Sequence, residues 1–227
     1  MNRDLTRGPV MRAMLAFALP MIAGNLLQQC YHIADTLIVG HILGKNALAA
    51  VKIDAFAYMP VQDFGNAFST FIAQNFGAGQ GRRIRRGLAG AAALSMVFCA
   101  GVSALVCLLA EPLMALFVGA GETDIIREGM RYLRIEGAFY AGIGCLFLLY
   151  GLYRALGRPG MSVVLTVISL GTRVALAYAL SALPQVGVTG IWWSVPIGWL
   201  LADAAGIGYY LVRRRRLLPM SRERITE

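Results

Sequence analysis

Apolar residues gather into six long runs along the chain, approximately 14–40, 55–77, 88–110, 132–153, 161–183 and 187–212, separated by polar stretches. Each run reaches the roughly 20 residues that a helix needs to cross about 30 Å of hydrocarbon. The pattern predicts an all-α membrane protein of six transmembrane helices spanning 14–212, with a polar segment 1–13 before it and a basic tail 213–227 after it. The first run is too long and too polar for a cleaved leader, so it is expected to remain as a helix. Gly77 to Gly81, and Gly157 with Pro159, read as turns between helices. The connection 111–134 is rich in mixed charge and predicts a short interfacial helix.

Polar groups inside these runs fall on narrow faces when projected at about 100° per residue. Asn25, Gln28, His32 and Asp35 share one face of the first helix, within about 80° of arc. Asp63, Asn66, Thr70 and Gln74 do the same on the second. Trp192, Pro196, Trp199 and Asp203 share a face of the sixth. A carboxylate at mid-helix costs roughly 2.5–3.5 kcal/mol on insertion scales, so such stripes must face one another, a partner or water. Arg173 lies near the centre of the fifth run and predicts a structural ion pair, with Asp203 or Asp63 as partner. A pair with Asp203 would leave Asp35 as the better titrating group. Asp54, beside Lys52, is expected at the interface, and Trp192 and Trp193 in the outer aromatic belt. Gly198, Ala202 and Gly206 form a small-residue ridge expected to pack closely against a neighbouring helix.

Composition agrees: the 227 residues are 58% hydrophobic. The net charge of +9 could suggest nucleic acid, but its distribution points elsewhere. With the N-terminus placed in the cytoplasm, 15 of the 21 Lys and Arg residues fall on inner segments and 5 on outer ones. This positive-inside asymmetry predicts a multi-pass protein of a bacterial-type cytoplasmic membrane with both termini inside. Arg213 to Arg216 then serve as an anchor on anionic lipid, and no nucleic-acid partner is required. Cys30, Cys99, Cys107 and Cys145 all lie within runs, without CxxC spacing, and read as packing residues. The loop at 77–81 has neither GxxxxGK[ST] nor GxGxxG spacing, and no catalytic or metal-ligating constellation stands out, so an enzyme is not expected.

Leu19 to Gln29 (LPMIAGNLLQQ) and Ala34 to Gly40 (ADTLIVG) resemble the first helix of multidrug and toxic compound extrusion (MATE) transporters. Ile53 to Pro60, Phe68 to Asn75, Gly77 to Gly79, Arg154 to Gly157 and Ile191 to Trp199 resemble parts of the second lobe of the same family. The resemblance implies a single MATE-like lobe of six helices, with first-lobe-like and second-lobe-like sequence meeting near 47–52. It also implies that Asp35 is the acidic group coupled to H+ or Na+, with no other cofactor. By the same resemblance Asn25, Gln28, His32, Asp63, Asn66, Thr70, Gln74, Trp199 and Asp203 line a cleft for a small drug-like molecule. The implied function is cation-coupled export of lipophilic, cationic compounds, completed by a homodimer or by association with a full-length relative. Two alternatives are a non-transporting remnant and a flippase for lipid-linked saccharides.

Overall fold

The computed structural model describes Leu26 and residues 48–118, 121–183 and 186–218. Six helices account for nearly all of these: α1 (Leu48–Gly77), α2 (Gly81–Val118), α3 (Thr123–Ala138), α4 (Tyr140–Ala155), α5 (Pro159–Ser181) and α6 (Val188–Leu217). No strand occurs among the described residues. The expected first helix, 14–40, lies outside them.

The described helices follow the apolar runs, and α1, α2 and α6 each run past at least one end of theirs. The run 88–110 becomes a 38-residue helix that takes in the arginines at its start and Pro112 near its end. The run 132–153 requires a correction, because it is not one continuous helix. The helix expected near the interface runs from Thr123 through to Ala138, and the chain then turns by 52° into α4. At the break, the Phe139 N–H donates to the Glu136 carbonyl at 2.9 Å and the Gly142 N–H to the Phe139 carbonyl at 2.8 Å. These short-range bonds tighten the chain where the regular ladder stops.

Two of the expected turns are built as the sequence suggested. Gly79 and Gly157 both adopt φ of 69°, a region open to glycine at little cost. After α4, the Gly157 N–H bonds to the Arg154 carbonyl and the Arg158 N–H to that of Tyr153, closing the helix end before Pro159 begins α5.

Helix α4 sits at the centre. It is apolar around its whole circumference, and Leu146 through Tyr153 are all buried, as expected of a helix enclosed by others. It crosses α1 where two glycines meet. A Cβ on Gly151 would stand 2.5 Å from the Gly65 carbonyl oxygen, and one on Gly65 would stand 2.9 Å from that of Phe147. On its other side α4 packs on α5 and α6. The Gly198–Ala202–Gly206 ridge forms the close contact expected of it: Gly198 lies against the Ser169 carbonyl and Gly206 against Leu149 and Leu165.

Three described helices are long and apolar enough to cross a membrane, at Gly81–Val118, Pro159–Ser181 and Thr189–Arg214. The bent α3–α4 pair makes a fourth if taken as one span. Their outer faces carry exposed Leu94, Val97, Leu108, Val167, Leu200 and Leu211, a surface suited to acyl chains.

Candidate functional site

The polar stripe of α1 falls on one side of the helix, and that side is open. Asp63, Asn66, Thr70 and Gln74 are all exposed, whereas Val61, Phe68 and Ile72 of the opposite side are buried. The spacing that brought the four polar groups together is the helical repeat itself, and the packing of α1 on α4 turned them outward. A further cation joins this face. Arg154, near the C-terminal end of α4, donates from Nη2 to the Asn66 side-chain carbonyl at 2.9 Å and from Nε to the Tyr150 carbonyl at 3.3 Å. Thr70 bonds back to the Asn66 carbonyl at 3.4 Å. The result is an open strip of acid, amides, hydroxyl and guanidinium along a helix of a membrane protein.

The stripe on α6 has the opposite fate. Trp192, Pro196, Trp199 and Asp203 are all buried within the lobe, so Trp199 and Asp203 lie on a packed face, unlike the exposed stripe of α1. Asp203 is 6% exposed and packs beside Gly142. The Cys145 thiol faces its carboxylate, and Oδ1 has no hydrogen-bond partner. The expected pair between Arg173 and Asp203 is therefore not formed. Arg173 is buried and engaged elsewhere, with its Cβ against Gly198, more than one helical turn before the carboxylate. Asp63, the other expected partner of Arg173, lies on the exposed face of α1.

A second group of polar side chains was not anticipated. Asp54, expected at the interface, is 4% exposed, and Glu136 on α3 is 1% exposed. The Tyr140 hydroxyl donates to Asp54 Oδ1 at 2.7 Å. The Tyr132 hydroxyl lies 3.4 Å from Asp54 Oδ2 and 3.1 Å from Glu136 Oε2. The α3–α4 bend makes this possible, because it lets Glu136 before the break and Tyr140 after it converge on one residue of α1. A phenol has one proton to donate, so both Tyr132 contacts are hydrogen bonds when one carboxyl is itself protonated. Trp192 closes the group. Its ring meets Tyr132 edge to face at 4.7 Å, and its Nε1 donates to Glu128 at 2.9 Å. Trp192 is thus part of the interior, while Trp193 is 41% exposed and its ring meets Phe139 edge to face at 5.6 Å. The sequence signal for the cluster was the Tyr132–Glu136 spacing of four, which puts both on one side of α3.

Asn25, Gln28, His32 and Asp35 lie outside the described residues, as does Cys30. Cys99, Cys107 and Cys145 are free thiols. Among the described residues no three His, Cys, Asp or Glu side chains are grouped to hold a metal ion.

Comparison with known proteins gives a consistent answer. The probable multidrug resistance protein YpnP of Bacillus subtilis is 27% identical over 231 residues, covering 96% of this chain and 49% of that protein. The multidrug export protein MepA of Staphylococcus aureus is 24% identical, covering 91% and 45%. The chain thus spans about half the length of the curated relatives it matches. Among solved structures, a MATE transporter in complex with MaL6 superposes with a TM-score of 0.83 at 19% identity, over 92% of this chain and 49% of the other. An outward-facing multidrug resistance MATE family transporter of the MOP superfamily also gives 0.83, at 18% identity over 96% and 49%. The MatE family model matches residues 20–179, most of the chain. With the all-helical architecture and its apolar outer surface, this places the chain in the MatE family of membrane transporters.

Proposed function

We propose that this chain forms one lobe of a multidrug exporter in the cytoplasmic membrane, with both termini inside, moving lipophilic and chiefly cationic compounds in exchange for H+ or Na+. The observation that carries the proposal is the open polar strip of α1, Asp63, Asn66, Thr70 and Gln74, extended by Arg154. At membrane depth such groups must meet water or another polypeptide, because lipid cannot satisfy them. The strip supplies one wall of a solute path, and a second copy of the chain or a full-length relative supplies the other. Six crossings allow two copies to sit around an axis along the membrane normal, the symmetry of parallel transporter repeats.

Coupling rests on two acidic positions. Asp35 is assigned by resemblance to the family. The Asp54–Tyr132–Glu136–Tyr140 cluster adds a place where carboxylates and phenols can hold and release a proton or a small cation. Charge movement through the lobe would draw about 2.3 kcal/mol per charge per 100 mV from the membrane potential. The test is efflux of a fluorescent cation from vesicles under imposed pH and Na+ gradients. The wild-type chain should export the dye, and Asp35→Asn and Asp54→Asn should each slow it. Efflux unchanged in Asp35→Asn removes that residue from the mechanism, and no efflux by a stable dimer removes the exporter itself.

A further inference from the structure

Ionisable side chains recur at every fourth position from α3 into α4: Glu128, Tyr132, Glu136 and Tyr140. That spacing stacks Glu128, Tyr132 and Glu136 in one row along α3, over about 12 Å of helix axis. The adjoining row rests on α2, where a Cβ on Gly129 would collide with Met114 and one on Gly137 would stand 3.4 Å from Val106 and Cys107. The ionisable row is thereby turned toward α1 and α6, which supply Asp54 and Trp192 to it.

Exposure falls steeply along this row. The Glu128 side chain is 30% exposed, whereas Tyr132 is 0% and Glu136 1%. Trp192 lies between the reachable acid and the buried ones. Its ring meets Tyr132 with centroids 4.7 Å apart, and the Tyr132 hydroxyl in turn reaches Glu136 and Asp54. One hydrogen bond ties the indole to the row, from Nε1 to Glu128 Oε1 at 2.9 Å. The other oxygen of Glu128 faces the exposed Arg131 guanidinium at 3.5 Å, which holds the carboxylate from the solvent side. An indole N–H donates but does not accept, so Trp192 cannot hand a proton onward. An ion therefore moves along the row only when the ring swings aside.

We propose that the Glu128–Tyr132–Glu136 row is the route by which the coupling ion reaches Asp54 and Glu136, that the Trp192 ring is the gate across it, and that Glu128 is the positioning residue that keeps the gate shut. The functional meaning rests on the reading of the Asp54 cluster as a coupling site. In the orientation proposed above, this end of the lobe faces the outside. Loss of the Glu128 bond frees the indole while leaving the buried cluster itself intact, so access and ion holding are carried by different residues.

The test is carboxyl labelling of the whole chain in micelles by a water-soluble carbodiimide and an amine, with the rate at each acid read by mass spectrometry. In wild type, Asp54 and Glu136 should label slowly and the exposed Asp63 quickly. Trp192→Ala and the milder Glu128→Ala should each speed Asp54 and Glu136 about tenfold, the ratio set by losing one hydrogen bond to a charged acceptor. Glu128→Gln, whose amide oxygen still accepts from the indole, should stay within about twofold of wild type. Asp203, buried beside Gly142 and away from the row, serves as the control for general loosening and should not change. Unchanged rates at Asp54 and Glu136 in both alanine variants would overturn the proposal, as would an equal rise at Asp203. A Glu128→Gln variant as open as Glu128→Ala would overturn the positioning role. Efflux unchanged in Asp54→Asn would instead remove the coupling reading and leave these rates standing, so the two failures are distinguishable.

Discussion

Replacing Tyr140 by Phe isolates one bond of the buried acid cluster. The hydroxyl donates to Asp54 Oδ1 at 2.7 Å, a short contact between two residues that are 1% and 4% exposed. A hydrogen bond to a charged acceptor contributes about 1.5–3 kcal/mol, and its loss leaves carboxylate desolvation less compensated. Tyr140→Phe should therefore destabilise the lobe by about that amount, a shift of roughly tenfold to a hundredfold in the folding equilibrium. Reversible unfolding by SDS in mixed micelles provides the measurement, followed through the fluorescence of Trp192, whose ring lies against Tyr132. The control is a double-mutant cycle. In an Asp54→Ala background the same Tyr140→Phe change should cost about 0.5 kcal/mol or less, because the acceptor is gone. A Tyr140→Phe cost that is the same in both backgrounds would refute the bond's contribution. It would mean that the phenol acts through packing alone.

Three further outcomes are expected. Gly151→Ala places a methyl 2.5 Å from the Gly65 carbonyl oxygen, a backbone atom that cannot swing aside, and should cost about 1–3 kcal/mol in the same unfolding assay. The double change Thr70→Val and Gln74→Leu removes exposed groups only, so lobe stability should stay within about 0.5 kcal/mol while dye efflux from vesicles falls. Trp192→Phe keeps an aromatic ring against Tyr132 but loses the 2.9 Å bond to Glu128, and should cost about 1–3 kcal/mol with a change in near-ultraviolet circular dichroism.

The element types and much of their chemistry were legible in the residues alone. Long apolar runs cannot be anything but helices if they meet lipid, since no other open structure satisfies its own backbone there. The α1 stripe was equally legible, because the spacing of Asp63, Asn66, Thr70 and Gln74 is a local property of the helical repeat. The glycine ridge on α6 and the turns at Gly79 and Gly157 belong to the same class: each depends on a residue and its immediate neighbours.

Which stripe turns outward was a different kind of question. Both α1 and α6 carry aligned polar groups, and nothing within either helix says which one the bundle encloses. That depended on α4 being apolar all round, taking the buried side of α1 through Gly65 and Gly151 and the Trp199–Asp203 side of α6. Asp54 shows the same dependence. Next to Lys52 it looked like a surface acid, and it is buried because a 52° bend, 85 residues later, delivers Glu136 and Tyr140 to it. Helical periodicity fixes directions around one axis, whereas pairing across axes is set by how closely two backbones can approach. Here the glycines that permit that approach, and the break that redirects α3 into α4, decided which charges meet.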